Sequence, residues 1–86
     1  MNKDYETIDV HHMYVDEAMR VIIDKINYCY ENNITRLEVI HGFNKGNRIK
    51  TRVLHLSSND HPSIVGVREK LNNNGISVVT LKMHEM

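Results

Sequence analysis

Three short segments of this 86-residue chain hold side chains whose types and spacing suit acid–base and phosphate chemistry. In Ile8-Asp9-Val10-His11-His12, Asp9 and His11 stand two residues apart, so on an extended strand both point to the same side. A carboxylate in that position can fix one imidazole tautomer or stabilise the protonated ring, and imidazole supplies both a proton donor and an acceptor near neutral pH. The plainer alternative is a partly exposed strand histidine beside a carboxylate. The second segment, His41-Gly42-Phe43-Asn44-Lys45-Gly46, places Gly42, Asn44 and Gly46 at two-residue spacing, a backbone permissive enough to approach an anion closely. Lys45 and Arg48 flank it as charge-assisted donors, with Arg the better bidentate partner. The same glycines would also serve a simple strand-to-helix turn. Phe43 can stack on a base or tuck under the loop. The third segment is a basic run, Lys45, Arg48, Lys50 and Arg52, which suits backbone phosphates or a solvated helix face. A metal site made of Asp9, His11, His12 and His41, for zinc or manganese, is a secondary reading, as is a protein-interaction domain. The sequence requires no cofactor, and a divalent metal is compatible with it.

These groups need elements to hold them. Glu6-Thr7-Ile8-Asp9-Val10-His11 alternates in the period of a half-buried strand, with Ile8 and Val10 on one face and Asp9 and His11 on the other. From Val15 the period lengthens: Val15, Met19, Ile22, Ile26 and Cys29 mark a helix of about fifteen residues, with Asp16 and Glu17 in its first turn. It stops at Asn32-Asn33, which tolerate a left-handed ending. Leu37-Glu38-Val39-Ile40 reads as a second strand, parallel to the first because a helix joins them. Asn47 can cap a second helix with Ile49, Val53 and Leu56 inward, broken by Ser57-Ser58-Asn59-Asp60. Beyond Pro62 either a helix begins, or a strand over 64–71 turns at Asn72-Asn73-Asn74-Gly75 into a strand over 76–82. The β-branched Ile64, Val65 and Val67 and the Asn-Gly pair favour the hairpin. Two parallel strand ends then bring Asp9, His11 and His12 toward His41 and Gly42, at the edge where open α/β sheets bind ligands.

Composition bounds the rest. Eighty-six residues make one domain with a modest core. Eleven basic against eleven acidic residues give zero net charge, which argues against a strongly basic polyanion binder. The distribution is uneven, however: residues 1–40 carry −4, residues 41–86 carry +4, and no acid lies between Glu38 and Asp60. A local basic face can therefore attract phosphates. Cys29 is the sole cysteine, which excludes an intramolecular disulfide and a thiolate cluster. No apolar run nears the roughly 18 residues of a membrane span, and no signal pattern follows Met1, so a cytoplasmic monomer is expected.

The order Ile8-Asp9-Val10-His11, Val15-Asp16-Glu17-Ala18, Val39-Ile40-His41-Gly42 and Asn74-Gly75-Ile76-Ser77-Val78-Val79 resembles the Smr (small MutS-related) domain family over about residues 7–82 of a single domain spanning 1–86. Four motifs in order carry more weight than any one of them. The resemblance implies an α/β fold, a two-layer β-α-β-α-β-β sandwich with a mixed four-stranded sheet and two helices, similar to the C-terminal domain of bacterial translation initiation factor three. It implies a nucleic-acid-binding domain, nicking or RNA-cleaving, or a binding module without hydrolysis. Asp9 and His11 match the family's catalytic pair, and His41 and Gly42 its second motif, making Asp9, His11 and His41 the candidate catalytic residues. Gly42, Phe43, Asn44, Lys45, Gly46, Arg48 and Arg52 become the candidate phosphate contacts. His12 stands where the family has Gly, Asn44 where it has the middle loop Gly, and Ser77 where it has Thr.

Overall fold

The computed structural model describes residues 4–42 and 48–83. Its elements are β1 (Glu6–Asp9), α1 (Val15–Glu31), β2 (Arg36–Ile40), α2 (Arg48–Leu54), β3 (Ile64–Lys70) and β4 (Asn73–Leu81). The sheet order is β1-β2-β4-β3, with β1 parallel to β2 and the other two pairings antiparallel. This is the mixed four-stranded sheet with two helices that the sequence implies.

Alternation decides which way each strand faces. Leu37 and Val39 of β2, with Val79 and Leu81 of β4, are buried in one cluster with Met19, Ile22, Ile26 and Cys29 of α1 and Val53 of α2. Full burial of each such side chain contributes about 1.5–3 kcal/mol. Both helices therefore share one core, and the opposite side of the sheet is left to a charged patch. There Glu38 is buried between Arg36 at 2.6 Å and Lys70 at 3.0 Å. Burial pushes the Glu38 carboxyl up, but the hydrogen bonds from Lys70 and Arg36 outweigh it and leave the group below its ordinary value.

α1 ends where the two asparagines predict. Asn33 takes φ +59°, and the Ile34 amide returns to the Cys29 carbonyl at 2.8 Å, a Schellman ending in which that carbonyl also accepts the Asn32 amide at 3.1 Å. Ile34 follows into the core and starts the chain toward β2. In the second helix Val53 is buried and Ile49 packs against the core. Leu56 is buried just past the helix end. The proposed cap, Asn47, lies outside the described residues.

The hairpin, and not a helix from Pro62, completes the sheet. Its turn differs from the expected one: β3 runs to Lys70 and the reversal uses Leu71 and Asn72, with Asn72 at φ +63°. Asn73, Asn74 and Gly75 already belong to β4. Asn-Gly is passed over because the Gly75 carbonyl accepts both the His41 amide (3.1 Å) and the Gly42 amide (2.9 Å) from the end of β2. Pairing with β3 jumps from Glu69↔Ser77 to Lys70↔Asn73, so this stretch bulges out of that ladder to meet the other strand.

Candidate functional site

The parallel register sets Asp9 beside Ile40, and the Val10 amide donates to the Ile40 carbonyl at 2.9 Å. Both chains leave the sheet immediately beyond. Gly42 does so at φ +74°, and a β-carbon there would stand 3.3 Å from the His11 Cβ. Two sequence motifs thirty residues apart therefore meet backbone to side chain. Gly is required at position 42 on two counts, its left-handed φ and this close approach.

The Met13 amide closes onto the Val10 carbonyl at 3.0 Å, which makes His11 and His12 the central residues of a tight turn. Asp9 Oδ1 accepts the His11 backbone N–H at 3.1 Å and is also hydrogen-bonded to His11 Nδ1. A carboxylate only accepts, so Nδ1 carries the proton and Nε2 is the open nitrogen. The side-chain hydrogen bond from His11, followed by the one from its backbone, lowers the Asp9 pKa. Asp9 is thus held ionised at neutral pH. The pair is surface chemistry: the side chains are 48% (Asp9) and 56% (His11) exposed. His12, also exposed, meets the His11 ring edge-on with centroids 5.1 Å apart.

His41 has a different environment. It is 6% exposed. Its Nδ1 lies 2.8 Å from the Gly42 carbonyl, and its Nε2 lies 2.8 Å from the hydroxyl of the fully buried Ser77. Since a carbonyl only accepts, Nδ1 donates to Gly42, and in the neutral ring Nε2 takes the Ser77 O–H. Burial pulls the His41 pKa down, keeping the ring neutral. The structure thus brings Asp9, His11, His12 and Gly42 to one corner, and anchors His41 in the sheet just behind Gly42.

Of the basic run, Lys50 is committed to Glu69 at 2.8 Å, an ion pair tying α2 to β3. Arg48 and Arg52 are exposed, and among the described residues neither forms an ion pair. Phe43, Asn44, Lys45 and Gly46 lie outside the described residues. Asp9, His11 and His12 each offer one ligand atom within 4.8 Å of the others, and His41 is not part of that group. Ser77 is the residue whose role sequence reasoning did not reach. Its signal was a hydroxyl on the inward face of an otherwise apolar strand.

Fold and corner together define an α/β sandwich that presents a carboxylate–imidazole pair where two parallel strands end. The chain matches the Smr domain family over residues 8–82 and belongs to it. It is similar to the Smr domain of Thermus thermophilus MutS2, whose crystal structure aligns with a TM-score of 0.80 at 15% identity, covering 90% of this chain and 98% of that one. No curated protein matches the chain. Among the described residues no helix is long and apolar enough to cross a membrane.

Proposed function

We propose that this Smr domain binds nucleic acid through its phosphate backbone and hydrolyses a phosphodiester at the Asp9–His11 pair. The observation that carries the reading is the open His11 Nε2, on a ring whose Nδ1 is held by an ionised Asp9 and whose Cβ rests against Gly42. In that mechanism Nε2 takes the proton from the attacking hydroxyl or water, and the Asp9 carboxylate stabilises the imidazolium that results. The returning proton then goes to the leaving oxygen. Arg48 and Arg52 supply phosphate contacts, together with Gly42 and with Phe43, Asn44, Lys45 and Gly46 of the loop. His41 acts as a positioning residue: its hydrogen bonds to Ser77 and to the Gly42 carbonyl fix the backbone on which His11 rests.

A second reading, binding without hydrolysis, is favoured by His12, whose ring sits against His11 where the family has no side chain. One experiment separates them. The purified domain is incubated with labelled structured RNA and branched DNA beside Asp9→Asn and His11→Ala. Loss of about 10²–10⁴ in cleavage rate for His11→Ala supports general acid–base catalysis. Binding with no cleavage by the parent protein establishes the second reading, and cleavage that survives both substitutions removes Asp9 and His11 from the mechanism. The double variant Arg48→Ala/Arg52→Ala should weaken binding and flatten its salt dependence, by about one unit of slope for each phosphate that is no longer neutralised.

A further inference from the structure

Position 12 is where the chain departs from its family at the site itself, and the replacement adds a third metal-ligating side chain to a pair already at the surface. On an extended strand, neighbouring histidines would point to opposite sides and could not share an ion. The Val10–Met13 hydrogen bond removes that obstacle: His11 and His12 occupy the two central positions of a turn, with their rings 5.1 Å apart. The ligand atoms of Asp9, His11 and His12 lie within 4.8 Å of one another. An ion bound tetrahedrally at about 2.0–2.2 Å from each donor holds them roughly 3.3 Å apart, so the farthest donors close by about 1.5 Å at most while the hydrogen-bonded Asp9 and His11 part to admit the ion. All three side chains are exposed and have room to make that adjustment.

Two imidazoles and a carboxylate are a donor set for zinc-class transition ions, whereas magnesium favours an all-oxygen shell. Three protein ligands also leave a coordination position open, the arrangement of sites that hold water or an exchangeable oxygen ligand. We propose that Asp9, His11 and His12 form a surface site for a zinc-class divalent cation, with an open position facing solvent. His11 presents Nδ1 to Asp9, so an ion held between them takes the place of the Nδ1 proton, which passes to solvent. Metal occupancy and the Asp9–His11 hydrogen bond therefore exclude one another.

The test needs no nucleic acid, so its outcome is independent of whether the domain cleaves. Metal-free protein is titrated with Zn²⁺ by calorimetry and with Co²⁺ by visible absorption. Circular dichroism confirms that each variant is folded. One saturable site is expected, not displaced by a large excess of Mg²⁺. His12→Gly and His12→Gln should each weaken Zn²⁺ binding by at least the roughly 10–100-fold that loss of even an outer-shell partner costs. Asp9→Asn and His11→Ala should do the same, while His55→Ala, His61→Ala and His84→Ala should leave it unchanged. Absence of saturable binding, parental affinity in both His12 variants, or loss confined to the His55, His61 or His84 variants would overturn the site.

Discussion

Replacing Gly42 by Ala is the sharpest test of the corner, because the structure supplies both reasons that the substitution should fail. At φ +74° an L-residue pays about 1–2 kcal/mol for the left-handed backbone. The new Cβ would also stand 3.3 Å from the His11 Cβ, close enough that one of the two must give by a few tenths of an ångström. Relief is restricted on one side, because the Gly42 amide is held to the Gly75 carbonyl at 2.9 Å and its own carbonyl is held by His41. The expected destabilisation is therefore about 1–2 kcal/mol, which for a domain of this size lowers Tm by about 5–15 °C. Gly66→Ala is the matched control. That strand glycine has no atom within 4 Å of the position a Cβ would take, so its effect should stay within about 0.5 kcal/mol. Thermal unfolding by circular dichroism reads both variants. A Gly42→Ala protein melting within about 2 °C of the parent, or no lower than Gly66→Ala, would refute both the strained φ and the contact with His11.

Ser77→Ala removes the hydroxyl that meets buried His41 Nε2 and should cost about 1–3 kcal/mol, the penalty of an unpaired buried polar atom. Ser77→Thr keeps the hydroxyl and should cost less, as urea unfolding of the two proteins will tell. The same histidine makes stability depend on pH. Its folded pKa is lowered by burial, so the unfolded chain binds the proton more readily. The contribution is complete above the unfolded value of about 6.5 and is lost as pH falls from there through the lowered folded value. Urea midpoints measured from pH 7.5 downward should fall more steeply in the parent than in His41→Gln; equal slopes would contradict a neutral buried His41.

What the sequence made legible follows from the range of each interaction. α1 could be read because its apolar stripe repeats at helical period, and its end because Asn33 stands where a left-handed residue is needed. The parallel β1–β2 pair followed from the helix between them. Asp9 and His11 do meet, but not on the strand face expected over residues 6–11: β1 ends at Asp9, and a turn folds His11 back so that both its backbone N–H and its Nδ1 reach Asp9 Oδ1. The hairpin turn was misplaced for a non-local reason. Asn-Gly carries the stronger local signal, yet Gly75 is held in the strand by amides from the end of β2, over thirty residues away. The His41–Ser77 bond spans 36 residues and leaves no periodic trace. Lys50 looked like one more cation of a basic face, and only the packing of α2 on β3 gives it to Glu69.

The two motif histidines look alike in sequence and are opposites in structure, and the proposed function divides their work on that difference. Proton transfer requires a ring that changes charge readily and that substrate can reach. His11 is the ring that substrate can reach, about half in solvent with Nδ1 held by Asp9. His41 meets neither part, since charging it would place an imidazolium in a site whose burial opposes it. A buried neutral ring with both nitrogens bonded is suited to fixing geometry. The geometry it fixes is that of Gly42, through the Gly42 carbonyl, and Gly42 in turn is what His11 rests upon. The closing strand takes part through the Ser77 hydroxyl and the Gly75 carbonyl. These bonds form a chain of supports leading from β4 to the end of β2 and on to the exposed pair, Asp9 closing β1 and His11 in the turn just beyond it. Substitution at Ser77 should therefore reach the chemistry proposed at His11 only by way of stability and the placement of Gly42, without changing which residue the proposal has carry the proton.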